Sequence, residues 1–284
     1  MSRRDDILTK VRAVEKMPTS IQQALSLLRD PNADMMALAR ILEHDPGLTA
    51  NILRVANSAY FGGREATSSV KDSIMRLGLE RVMQVVLSAG IAPRARLAIK
   101  GYDLAPCKLL EHSITTAVAA EEIGRALGLR TPEYVFTAGL LCKIGKTVLG
   151  TFLEVDAKPI LDLAKRELLT FDEAEERVLG INHAEVGAVL LEQWGLPADI
   201  IEVVRWHLRP EDRPGAPLLA LDLVHTGCML ATMIGVGLGL DGMNYQPSTV
   251  VTERLGLTPQ IMDKATAEIM DKVAELCDIF ANCG

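Results

Sequence analysis

At 284 residues the chain is long enough for one large domain or two small ones, and either can bury a core without cross-links. Its formal net charge is −7 and no block of Lys or Arg offsets it, Arg3-Arg4 and residues 94–100 being short and interrupted, which argues against a nucleic-acid binder. Hydrophobic residues make up 49% but aromatics only 4%, so the core is built from Leu, Ala, Val, Ile and Met, a mix that favours helices.

The N-terminus, Met-Ser-Arg-Arg-Asp-Asp, leads into mixed polar residues with no apolar run of the signal-peptide kind. The next stretch, residues 17–87, reads as short helices punctuated by Asp30-Pro31, Asp45-Pro46, Gly62-Gly63 and Gly78. His44 and Asp45 are adjacent, but Pro46 follows at once and places them at a helix end. Within Ala56-Asn-Ser-Ala-Tyr-Phe-Gly62, the polar Asn57 and Ser58 and the rings of Tyr60 and Phe61 suit a partner contact; the same rings equally suit a plug between two halves. Longer helical patterns begin near Asp103, and Gly101-Tyr102 marks the joint, so two parts are expected, 1–101 and 102–284.

Thr131-Pro132-Glu133 predicts an N-cap, a proline at the first helical position and an acidic first turn. Thr170-Phe-Asp-Glu173 is a capping box whose helix should end at Gly180, and Pro197 opens another helix through Ile200, Ile201, Val203 and Val204. Residues 218–240 are strongly apolar. They carry Asp222 and His225, and the uncharged remainder from Thr226 is too short to cross a bilayer, so a buried core helix is expected, with no membrane span. Gly237-Leu-Gly-Leu-Asp-Gly242 has GxGxxG spacing but follows a helical run instead of joining strand to helix, and reads as a loop. Thr258-Pro259 opens the last helix, in which Met262, Ala265, Ile269, Val273, Leu276 and Phe280 recur at intervals of three and four along one face. No segment alternates with period two between hairpin turns, so the fold class is all-α. Five cysteines, Cys107, Cys142, Cys228, Cys277 and Cys283, form no CxxC pair; the odd number fits a reducing, cytoplasmic setting.

Several blocks occur together in a particular order: Met17-Pro-Thr-Ser20, Leu42-Glu-His-Asp-Pro-Gly-Leu-Thr49, Ile52-Leu-Arg-Val-Ala-Asn-Ser-Ala-Tyr-Phe-Gly62, Ser69-Val-Lys-Asp72 and Leu77-Gly-Leu79. In that order and spacing they resemble the HDOD family, the HD-related output domain of bacterial signalling proteins, and the resemblance continues to about Pro210. It implies an HD-like helical bundle preceded by an N-terminal helical subdomain, and a role in signal transduction. HDOD domains are often joined to receiver, kinase or cyclic-dinucleotide domains. A chain of this length leaves no room for one, so a sensor, receiver or cyclic-dinucleotide protein is expected as a separate partner.

The resemblance also implies where metal ligands would sit: a His, then adjacent His and Asp, then a later Asp. His112 in Glu111-His-Ser-Ile-Thr-Thr116 looks like the first. The frame Ala138-Gly-Leu-Leu-Cys-Lys-Ile-Gly-Lys146 looks like the second, yet Cys142 and Lys143 stand where His and Asp are usual, and Cys228 matches the fourth. An ammonium has no lone pair to offer a cation, so Lys143 cannot replace a bridging carboxylate. His183 and His207 look like the further histidines of HD-GYP relatives, with Leu208 where a second adjacent His is usual; each is also readable as a hydrogen-bonded core residue.

The expected function is therefore a non-catalytic regulatory module that uses the groove between its halves to bind a protein partner or small ligand, with no cofactor. Two alternatives stay open. One is a metal-dependent phosphohydrolase with an altered site, for which His112, Cys142 and Cys228 would converge as a soft set suited to zinc. The other is a nucleotide-binding receptor without turnover, in which Lys143, with His112, His183 and His207 around it, holds a small anionic ligand directly.

Overall fold

The structure, a computed structural model, describes all residues except 1, 15–16, 29, 31–33, 61–65, 243 and 282–284; for 154–156 and 280–281 it describes the backbone alone. The described residues form fourteen α-helices and two 3-10 turns, with no strand and one isolated antiparallel bridge between Ile99 and Leu104. In chain order the helices are α1 (Arg3–Ala13), α2 (Thr19–Leu28), α3 (Met35–Glu43), α4 (Pro46–Ala56), α5 (Val70–Ala95), α6 (Lys108–Ala126), α7 (Val135–Leu141), α8 (Lys146–Glu167), α9 (Phe171–Leu179), α10 (His183–Gln193), α11 (Ala198–Trp206), α12 (Leu219–Met233), α13 (Thr249–Leu255) and α14 (Pro259–Ala281).

Two compact units divide the chain, one made of residues 1–15 and 94–270, the other of 16–93 and 271–284. This differs from the single boundary at 101, because both ends of the chain cross over. Helix α1 packs on α8 and α10, where Arg4 pairs with Glu185 and donates to the Gly180 carbonyl at 2.6 Å. The end of α14 belongs with the smaller unit: the Ile279 carbonyl accepts from Arg54 at 2.8 Å, and the Glu275 carboxylate accepts the Tyr60 N–H at 3.1 Å. Gly101-Tyr102 is not a linker either. Tyr102 ends a 3-10 turn, is fully buried in the larger unit, and has its ring 5.6 Å from that of Phe171.

In the smaller unit, Asp45 caps α4 by accepting from Gly47 and Leu48 at 3.0 and 3.1 Å, with Pro46 at the first helical position. The adjacent His44-Asp45 is thus a helix junction, as its proline indicates. Gly78 takes φ 75°, a left-handed backbone that breaks α5 into two segments.

In the larger unit α6 and α12 lie along each other and α7 packs on both. Ile114, Val118, Ile123, Leu223 and Val224 are fully buried there, each such side chain contributing about 1.5–3 kcal/mol. The Thr170–Glu173 capping box forms, and α9 ends at Gly180 with φ 76°. The helix expected from Thr131-Pro132 instead starts at Val135, after a turn in which the Pro132 carbonyl accepts the Val135 N–H at 3.1 Å. Thr131 does not cap; its side chain packs over Gly124 of α6, where a Cβ would overlap it. By length and composition the stretch Val135–Leu153 could cross a membrane, but 83% of its apolar window is buried in the fold and a turn at 142–145 interrupts it. Helix α12, the apolar run noted in the sequence, spans 15 residues and is core from Ala220 to Ala231.

Candidate functional site

Seven elements of the larger unit converge on one polar centre. Helix α6 brings His112, the turn after α7 brings Cys142 and Lys143, and α8 opens with Lys146. Helix α9 adds Asp172 and Glu175, α10 begins with His183, α11 ends against His207, and α12 carries Cys228, with Asp241 in the loop that follows it. None of these residues is more than 4% exposed. Burying so many polar groups is costly unless they satisfy one another, and most of them do.

One pole is a chain of proton donors and acceptors. Lys143 Nζ lies 3.3 Å from His183 Nε2, and His183 Nδ1 lies 2.8 Å from Glu175 Oε2. The same oxygen accepts the His183 backbone N–H at 2.8 Å, and Tyr102 donates to Glu175 Oε1. Burial, with Lys143 and Lys146 adding to it, holds His183 well below its ordinary pKa, so the ring is neutral, donates through Nδ1 and accepts through Nε2. Burial alone would favour neutral Lys143, but the sulfurs of Cys228 and Cys142 and the carboxylates of Asp241 and Asp172 outweigh it and its pKa is raised. Lys146 pairs with Asp241 and sits 5.2 Å above the Tyr102 ring.

Burial pushes Glu175 up to about 7 in spite of the Tyr102 and His183 donors and Lys146, with Asp241 adding to the rise. A raised carboxyl pKa means the fold prefers the protonated form. Its contribution to stability is fully present below the ordinary value of 4.5 and is lost as pH rises through about 7. The midpoint of thermal unfolding should therefore fall as pH rises from about 4.5 to about 7, and Glu175→Gln should flatten that slope. A slope unchanged in Glu175→Gln would assign the titration to another group.

The other pole is made of sulfur and imidazole. Cys142, Cys228 and His207 each place a donor atom within 4.8 Å of the other two, and Cys228 Sγ lies 3.7 Å from His112 Nε2. Both imidazoles are held from behind: His112 Nδ1 lies 2.8 Å from the Val236 carbonyl and His207 Nδ1 lies 2.7 Å from the Val204 carbonyl. His225 Nδ1 donates in turn to the His207 carbonyl at 2.8 Å, and its Nε2 accepts the Ser248 N–H at 3.0 Å. Burial raises the Cys142 thiol, whereas the hydrogen bond it donates to Cys228, with Lys143 nearby, lowers Cys228 in spite of its own burial. His207 Nε2 is buried without a partner. The loop after α12 reaches His112 through Gly237, at φ 62°, where a Cβ would lie 2.7 Å from His112 Cβ and overlap the Lys108 carbonyl.

Of the residues singled out in the sequence, His112, Cys142, Lys143, His183, His207 and Cys228 are therefore gathered in one place. Asn57, Ser58 and Tyr60 belong to the smaller unit, and Phe61 lies outside the described residues. Asn57 exchanges hydrogen bonds with the Thr67 backbone at 2.8 and 2.9 Å and so braces its own loop, Ser58 is buried, and Tyr60 is half-buried. Sequence reasoning missed Tyr102, Lys146, Asp172, Glu175 and Asp241. Glu175 and Asp172 read only as part of a capped helix, and Asp241 only as loop. The available signal was charge inside apolar runs, since Lys146 and Asp241 both interrupt stretches that otherwise read as core.

The centre does not fit a pair of hard, oxygen-ligated cations. Where the family resemblance places a bridging carboxylate stands the Lys143 ammonium, which has no lone pair to offer; Glu175 and Asp241 are engaged with His183, Tyr102 and Lys146, and the donors gathered around Cys228 are sulfur and imidazole.

An HDOD domain model matches residues 14–210. An uncharacterized protein of Treponema pallidum (strain Nichols) is 23% identical over 214 residues, 74% of this chain and 40% of that protein, so the chain spans less than half the length of this relative. The crystal structure of a protein from Shewanella amazonensis SB2B, named as a candidate phosphohydrolase, superposes with TM-score 0.73 at 22% identity, over 96% of this chain and 97% of the other. A protein of Marinobacter aquaeolei VT8, named as a candidate signal transduction protein, gives TM-score 0.69 at 22% identity, over 96% of this chain and 60% of the other. These likenesses establish an HD-like helical fold. With a family model spanning more than half of the sequence, from the N-terminal blocks to the end of the His183–His207 segment, the chain belongs to the HDOD family.

Proposed function

We propose that this chain is a non-catalytic signal-transduction module that works by binding a protein partner, such as a sensor, receiver or cyclic-dinucleotide protein, or a small ligand. Membership of the HDOD family supports a regulatory role. The observation that carries the absence of turnover is Lys143, a buried ammonium bonded to His183, in the frame where the family resemblance would put a bridging carboxylate. Metal-assisted hydrolysis needs an ion that lowers the pKa of an attacking water and neutralises phosphate charge, and an ammonium held there repels such an ion. Access argues the same way. Phosphodiesters are bulky anions, whereas His112, Cys142, Lys143, His183 and His207 are 0–3% exposed. For the same reason Lys143 is not a ready anion receptor: its charge is already turned toward His183 and the two sulfurs.

The purified protein, supplied with Mn, Fe, Mg or Zn, is expected to hydrolyse phosphodiesters and nucleotides no faster than its His112→Ala variant. Turnover that His112→Ala abolishes would overturn the reading and restore a phosphohydrolase with an altered site.

A further inference from the structure

We propose that His112, Cys142, His207 and Cys228 form a closed, four-ligand zinc site, a soft-donor structural ion built into the place where the fold would otherwise hold hard catalytic cations. The inference goes beyond the signalling role and rests on geometry independent of it.

Zinc takes two sulfurs and two nitrogens tetrahedrally, with bonds of about 2.3 Å to sulfur and about 2.0–2.1 Å to nitrogen. A tetrahedral angle then places an S and an N ligand about 3.6 Å apart. Cys228 Sγ and His112 Nε2 stand 3.7 Å apart already, and the Cys142, Cys228 and His207 donors lie within 4.8 Å of one another, so those three close on an ion with movements of about 1 Å, and His112, in contact with Cys228 and outside that triangle, swings in as the fourth ligand.

The imidazoles are oriented as zinc ligands are. In each the Nδ1–H is committed to a backbone carbonyl, Val236 for His112 and Val204 for His207, which fixes the tautomer with its lone pair on Nε2. His112 Nε2 faces Cys228, and His207 Nε2 is buried without a partner. An orphaned acceptor in a dry core is costly, and an ion at this point removes the cost. His225 adds a further layer by holding the His207 carbonyl from one turn before Cys228 on α12.

Charge does not forbid the ion. Binding displaces the thiol protons, and two thiolates with two neutral imidazoles around Zn²⁺ sum to zero. The other buried charged groups of the centre are Lys143 and Lys146 against Asp172 and Asp241, with Glu175, raised to about 7, adding to the negative side as it ionises. Four protein ligands leave no open position for water, so the ion is structural and ties α6, α7, α11 and α12 together.

The test is metal analysis and spectroscopy on untagged, reduced protein. One zinc per chain is expected, with an X-ray absorption spectrum fitting two sulfur and two nitrogen scatterers. Replacement by Co²⁺ should give the strong visible bands of a tetrahedral site and a thiolate-to-metal charge-transfer band. Cys228→Ser and His207→Ala should each lose the stoichiometric metal, while Cys107→Ser keeps it. The proposal is overturned if the reduced protein neither holds zinc nor takes up Co²⁺, if the Co²⁺ spectrum is that of weak octahedral oxygen ligation, or if the charge-transfer band survives Cys228→Ser. The absorption spectrum is read on the unmodified chain, so the answer does not depend on any variant folding.

Discussion

Asp241→Ala is expected to cost about 3–5 kcal/mol of folding stability, because it strands the Lys146 ammonium in a buried site. The Lys146 and Asp241 side chains are 3% and 6% exposed, and they pair directly. Burial alone would raise the Asp241 pKa, but Lys146 and then Lys143 outweigh it and hold the carboxyl down to about 2. A lowered carboxyl pKa contributes stability that is present above the ordinary value of 3.8 and is lost as pH falls toward about 2, so the cost of the substitution should shrink in acid. Urea unfolding followed by circular dichroism measures it. The double variant Asp241→Leu with Lys146→Met should recover most of the loss, since replacing both charges removes the desolvation penalty along with the attraction. A cost below about 1 kcal/mol at neutral pH would show that water reaches the pair.

The second large effect comes from a single methyl group. Gly145 has φ −61° and ψ −23°, an ordinary helical backbone in which alanine carries no strain and has the better helix propensity. Yet a Cβ there would overlap the His183 carbonyl oxygen and stand 2.5 Å from the Gly187 nitrogen. Both are backbone atoms of α10 and cannot swing aside as a side chain tip would. Gly145→Ala should therefore destabilise the fold at or beyond the upper end of the ~1–3 kcal/mol usual for overpacking. It should also push α10 away from the turn carrying Lys143, lengthening the Lys143–His183 contact. Thermal unfolding reads the first effect, and the ring chemical shifts of His183 read the second. An unchanged midpoint would mean that α8 and α10 are not held at this separation.

Legibility in the sequence followed the range of the interactions. The Thr170–Glu173 box and its Gly180 stop were readable because a cap is made by residues three or four apart, and the break at Asp45-Pro46 because a proline ends the helix before it, although the capping role of Asp45 on the helix that follows was not read. Thr131 was misread for the complementary reason: it has the chemistry of a cap, but the small surface left by Gly124 on another helix claimed its side chain. At the site, His112, Cys142, Lys143, His183, His207 and Cys228 were found because family motifs mark their positions. Glu175 and Asp241 carry no such mark. Their roles exist only because α9 and the loop after α12 bring them to His183 and Lys146, 8 and 95 residues away along the chain.

Composition, periodicity and caps by themselves determined an all-α protein, and the ordered motif blocks its HDOD character, with Lys143 standing where that resemblance places a metal-bridging carboxylate. Each is a property of residue type at a position, or of neighbours along one helix. The tertiary structure decided which units the two ends of the chain join, that Tyr102 is core and not a linker, and that His207 joins His112, Cys142 and Cys228 where three ligands were considered. It also decided that Lys143 is bonded to His183 and closed to solvent. The physical reason is that burial, pKa and donor-to-donor distance are set by atoms arriving from other helices, and no local pattern encodes which helix arrives.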